Sequence, residues 1–153
     1  MKPRRARILC LLLPMSFVAC ERKAELDLSV APEGAIEQGV ALMGTHCHTC
    51  HGVGESRMDA MLAPPLWGVR AHYLARHSDP EDFVDAMTAF VQKPRMESSL
   101  LLFEVARYGL KAPVSLSEAE IRSVSWAIYA GRVERPSWSR EYRKRHASCE
   151  ANW

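Results

Sequence analysis

Gly39-Val40-Ala41-Leu42-Met43-Gly44-Thr45-His46-Cys47-His48-Thr49-Cys50-His51 is the stretch on which the reading of the fold turns. Ile36, Val40 and Met43 stand at helical spacing between Gly34 and His46. The segment closes on C-x-x-C-H, two thiols one helical turn apart with a histidine directly after the second. Three chemistries use such a pair. A thioredoxin-type dithiol expects a preceding strand in a βαβ unit, and no stretch of this chain alternates convincingly with period two. A structural zinc site needs four ligands, so Cys47, Cys50 and His51 would have to recruit Cys149 or a distant histidine. Attachment of a c-type haem needs this spacing itself: both thiols add across the vinyl groups on one haem edge, and the adjacent histidine reaches iron through Nε2. The pentapeptide is read as that attachment site, for one covalent haem c.

Working outward from the motif, the 153 residues fit one domain, with 48% apolar and 25% charged residues, an ordinary globular composition. The formal charge of +2 is uneven. Lys2, Arg4, Arg5 and Arg7 precede an apolar run of 12 residues, Ile8 to Ala19, too short to span a bilayer but suited to a signal peptide. Without residues 1–19 the chain holds 16 basic and 18 acidic residues, which argues against a nucleic-acid partner. Ser16-Phe17-Val18-Ala19-Cys20 resembles the lipobox of bacterial lipoproteins, with Phe17 in place of the usual Leu, and makes Cys20 the expected lipidation site. Export to the periplasmic side of a bacterial membrane is expected, through a lipid anchor or, without lipidation, as a soluble periplasmic protein. Of five cysteines, Cys10 leaves with the signal and Cys149 is left over, so a disulfide framework does not fit.

The domain plan follows from composition and helix signals. Residues 20–33 read as the lipidated cysteine and a polar tether, 34–131 as the folded domain, and 132–153 as a basic tail of net +3 beside a body of net −5. Asp79-Pro80-Glu81-Asp82 starts a helix, followed by Phe83, Val84, Met87, Phe90 and Val91 on one face and stopped by Pro94. A further helix is expected from about Ser98 or Ser99 to Gly109. Ser117-x-x-Glu120 is a capping box ahead of Ile121, Val124, Ile128 and Tyr129, with Gly131 ending the run. The domain therefore reads as all-α.

From Gly34 to Gly131 the chain resembles the small class I bacterial cytochromes c. Gly39 stands eight residues before the first cysteine, where the family has a glycine that allows close contact with the C-terminal helix. Met43 replaces the family's usual aromatic residue, and Trp126 and Tyr129 are displaced by one from its commonest pattern. Ala63-Pro64-Pro65-Leu66-Trp67-Gly68 resembles the loop under the haem. The resemblance implies that the Pro64 carbonyl accepts from Nδ1–H of the axial His51 and that Leu66 packs on the porphyrin. It also implies four to five helices around the haem, with the N- and C-terminal helices crossing.

The sixth ligand separates electron transfer from small-molecule chemistry. Met58 and Met61 follow His51 too closely to round a haem edge easily, and Met87 sits on an apolar helical face where methionine is usually core filler. Pro94-Arg95-Met96 resembles the family's distal loop, although Glu97 replaces its frequent proline, so Met96 is the expected ligand. Met87, His72, His77 or an open site are the alternatives. The expected function is one-electron transfer between redox protein partners by a carrier rather than an enzyme. The other readings are a haem c subunit of a larger oxidoreductase and a five-coordinate haem protein that binds a small ligand.

Overall fold

The computed structural model describes residues 26–52, 54 and 57–146. The signal segment, Cys20, Cys149 and the end of the tail lie outside the described residues. Among the described residues the chain is all-α, with seven α-helices and no strand: α1 (Ala35–His46), α2 (His48–His51), α3 (Leu66–Arg76), α4 (Pro80–Gln92), α5 (Leu102–Tyr108), α6 (Glu118–Tyr129) and α7 (Ser139–Arg145). No helix among them is long and apolar enough to cross a membrane.

The capping signals act where the sequence puts them. Asp79 accepts a hydrogen bond from the Asp82 N–H at 3.0 Å, with Pro80 at the first helical position of α4. At α6 the Ser117 hydroxyl accepts from the Glu120 N–H, while the Glu120 carboxylate accepts from the Ser117 N–H at 2.8 Å. Each cap satisfies donors that would otherwise have no partner in a first helical turn.

The centre of the fold is α6, buried from Val124 to Tyr129. On one side α1 presents Ala35, Gly39 and Met43. A Cβ on Gly39 would lie 1.9 Å from the Ser123 carbonyl oxygen, so only hydrogen at this position lets the helices approach as they do. On the other side α4 packs Phe83 edge-on against Tyr129, with ring centroids 5.2 Å apart, and Phe83 in turn meets Tyr73 of α3 at 5.7 Å. Thr88 and Ser125 pair at 3.3 Å across this interface. Arg122 ties the exposed seam by bonding Glu81 and Asp85 of α4.

Three expectations change. There are seven helices rather than four to five, because the two-thiol segment forms its own turn and because α3 and α7 exist. The stretch expected as a loop, Ala63 to Gly68, becomes helical from Leu66, with Pro65 in extended conformation before it. The helix expected from Ser98 or Ser99 begins at Leu102, after a 3₁₀ turn over Met96–Ser98.

The tail boundary also moves. Ser139, Tyr142 and His146 are buried. Tyr142, only 1% exposed, lies edge-on to Trp67 at 6.3 Å and fills the space above Gly68, where an added Cβ would meet its ring at 2.7 Å. Packed structure therefore continues at least through His146, beyond the domain end expected at Gly131.

Candidate haem site

The ends of α1 and α2, the Ala63–Leu66 segment, α4, α5 and α6 enclose a cavity of about 300 Å³. Cys47, Cys50 and His51 line it on one side, with Pro64 and Leu66 beside them. Val91, Leu101, Ile121 and Ile128 make much of the rest apolar. Cys47 and Cys50 are both free thiols and half-buried. Burial, with a smaller contribution from Cys50, pushes the Cys47 thiol up from its ordinary pKa. The Cys47 thiol is thereby favoured over its thiolate and made a poorer nucleophile.

His51 Nδ1 lies 2.7 Å from the Pro64 carbonyl oxygen. A carbonyl can only accept, so Nδ1 carries the proton and Nε2 keeps its lone pair. Burial lowers the His51 pKa most strongly; the Pro64 bond opposes this, and the charges of His48 and Lys111 add to the lowering. The imidazole is thus oriented, neutral and ready to bind a metal through Nε2, which is the state an axial ligand requires. No group of three or more His, Cys, Asp or Glu side chains among the described residues is arranged to hold a bare metal ion. Two thiols beside an apolar cavity, with one oriented imidazole, fit a planar prosthetic group that brings its own metal ligands. Leu66, buried against the same space, offers it a flat apolar contact.

The distal candidates separate. Met96 is 46% exposed in its 3₁₀ turn and is not part of the cavity wall, whereas Met87 is 3% exposed and lines it. His72 is buried on α3 beside His146, and His77 bonds Asp82 at 2.8 Å; neither lines the cavity. Arg70 bonds the Tyr129 carbonyl at 3.0 Å and does not line the cavity, while Tyr73 does.

Sequence reasoning missed the polar wall made by α5 and the residues after it. Glu104, Tyr108 and Lys111 all line the cavity. Glu104 and Tyr108 are one turn apart on α5, and Lys111 Nζ donates to the Tyr108 carbonyl at 2.7 Å beyond the Gly109 cap. The i, i+4 spacing of Glu104 and Tyr108 was available as a signal. It was hidden because the helix start was placed too early and the face was not assigned. Comparison with protein-family models, curated proteins and solved structures finds no match to this chain.

Proposed function

We propose that the chain carries one covalent haem c on Cys47 and Cys50, with His51 as its proximal ligand, and transfers single electrons between redox proteins on the periplasmic side of a bacterial membrane. The observation that carries this reading is the hydrogen bond from His51 Nδ1 to the Pro64 carbonyl, made beside two free thiols on one apolar cavity. The all-α architecture, with Gly39 of α1 set tightly against α6, supports a cytochrome c fold around that group. A haem held by two strong axial ligands supplies a one-electron couple, and a soft thioether ligand favours its reduced form. The protein's part is to fix the imidazole, exclude water with the apolar wall, and leave an edge for transient partners. Lipidation at Cys20 would hold the carrier at the membrane.

For the sixth ligand Met96 stands on its resemblance to a distal loop, and Met87 on its place in the cavity wall. The exposure of Met96 also favours a second reading, a five-coordinate haem that binds a small ligand. Acid–acetone extraction tests the attachment: the colour should stay with the protein, and its full transfer to the solvent overturns the haem reading. Met96→Ala and Met87→Ala then separate the ligands, because the variant that loses the thioether ligand shows a lower midpoint and new carbon monoxide binding in the ferrous form. If the wild type already binds carbon monoxide, the five-coordinate reading holds. If only Lys111→Ala acquires carbon monoxide binding, the Lys111 amine occupies the sixth position.

A further inference from the structure

Four of the eight exposed large apolar side chains among the described residues gather at α5. Leu102 and Phe103 stand on the helix, and Leu100 and Leu110 lie within two residues of its ends. Scattered singly, such side chains need no explanation, but a cluster on one short element does. Phe103 is 62% exposed and Leu102 58%, and Ala106 and Arg107, one turn on, are exposed beside them. The inward side of the helix is already occupied. Leu101, Val105 and Tyr108 line the cavity, while Glu104 Oε1 accepts from the Tyr142 hydroxyl at 2.6 Å and lies 3.0 Å from His146 Nε2. Those two contacts clip α5 to α7, so the two helices present one surface.

That surface is basic at its edge. The Phe103 ring lies edge-on to His146, with centroids 5.5 Å apart. His146 directly follows the last turn of α7, which carries Arg143, Lys144 and Arg145. Burial lowers the His146 pKa most, and the charges of Arg107 and Arg145 add to the lowering, so both guanidinium groups stand near the same ring. Glu141 pairs with Arg145 at 2.6 Å, whereas Arg143 and Lys144 form no ion pair among the described residues.

We propose that the outer face of α5, together with the last turn of α7, docks on an anionic lipid surface. Leu102 and Phe103 enter the boundary between headgroups and acyl chains, and Arg107, Arg143 and Lys144 meet the phosphates. The inference rests on the membrane location proposed above and on nothing about the haem. Composition favours lipid over a protein partner. Centres of protein interfaces are rich in Trp, Tyr and Arg and poor in Leu, whereas interfacial membrane elements pair Leu and Phe with Lys and Arg. Charge points the same way. The body, net −5 over residues 20–131, is repelled by anionic headgroups on its acidic faces, so the basic edge also selects this orientation. Docked in this way, the cavity side of α5 lies one helix diameter, about 10 Å, from the lipid.

The experiment is vesicle cosedimentation of the exported chain carrying Cys20→Ala behind a signal peptide cleaved without lipidation, so that no acyl chain contributes. The chain should bind vesicles of phosphatidylcholine and phosphatidylglycerol in equal parts, and not vesicles of phosphatidylcholine alone. Phe103→Ser and Leu102→Ser should each weaken binding about tenfold. Lys144→Ala should weaken it about fivefold at low salt, and less as salt rises. Both apolar side chains are more than half exposed, so circular dichroism should show the wild-type fold in either variant. If one of them fails to fold, the other decides. No binding to the anionic vesicles, equal binding to both vesicle types, or binding indifferent to both apolar substitutions overturns the proposal. Self-association without vesicles that Phe103→Ser disperses also overturns it, because the face then belongs to a second copy of the chain. Mass spectrometry of the wild-type N-terminal peptide tests lipidation at Cys20 separately, so failure of the anchor and failure of this face are read apart.

Discussion

Pro64 contributes a backbone carbonyl, so the side chain that reports on the His51–Pro64 contact is the imidazole. Under the proposed haem reading, His51→Gly should leave the covalent attachment intact and change the visible spectrum, and added imidazole should restore it, as followed by visible absorption. Restoration is expected because the apolar wall and Pro64 remain to receive the free ligand. A Cys47→Ala, Cys50→Ala double variant should accumulate only as unstable apoprotein, measured by haem stain and protease sensitivity. At His146 and His72 the folded pKa lies below the ordinary imidazole value of about 6.5. The unfolded chain therefore binds the extra protons first as pH falls. Stability from these two residues should be complete above that value and should decline as pH drops through the folded pKa values. Denaturant midpoints measured down from pH 8 should show this loss, and His146→Gln should reduce it.

At the scale of elements, the α1–α6 contact is set by one hydrogen atom. Gly39→Ala places a methyl against the Ser123 carbonyl and should cost at least about 2 kcal/mol, read as a lowered thermal midpoint. Ser117→Ala removes one side of the capping box and should cost about 1 kcal/mol. Such contacts were legible in advance because they are local or stereochemically demanding. A serine three residues before a glutamate, or an aspartate before a proline, acts within one turn. Gly39 was read through its place before the cysteines. Helix α3 was hidden because Leu66–Arg76 has no side-chain cap and mixes Trp67, Arg70, His72 and Tyr73, whose partners Tyr142, Tyr129, His146 and Phe83 lie on other elements. Helix α7 was hidden for a related reason. Ser139–Arg145 reads as a charged terminal segment, and it takes Trp67 and Gly68 of α3 and Glu104 of α5, all distant in sequence, to explain why Tyr142 is buried.

For the whole molecule, the packed tail alters what a truncation does. Removing residues 132–153 uncovers Trp67 and Gly68 and takes both hydrogen-bonding partners from Glu104 Oε1. The deletion should destabilise the domain by several kcal/mol and disturb the visible spectrum of the proposed holoprotein. The seat of Gly39 against Ser123 has a further consequence, in time rather than in space. These partners stand 84 residues apart, and bringing the ends of a flexible loop of that length together costs about 4 kcal/mol in chain entropy. The first helix thus has no surface to dock on until the last third of the chain has been made. A chain stopped before Ser117 should unfold without a cooperative transition and show fully reactive thiols. The interval before α6 arrives is the period in which Cys47 and Cys50 are most open to covalent capture.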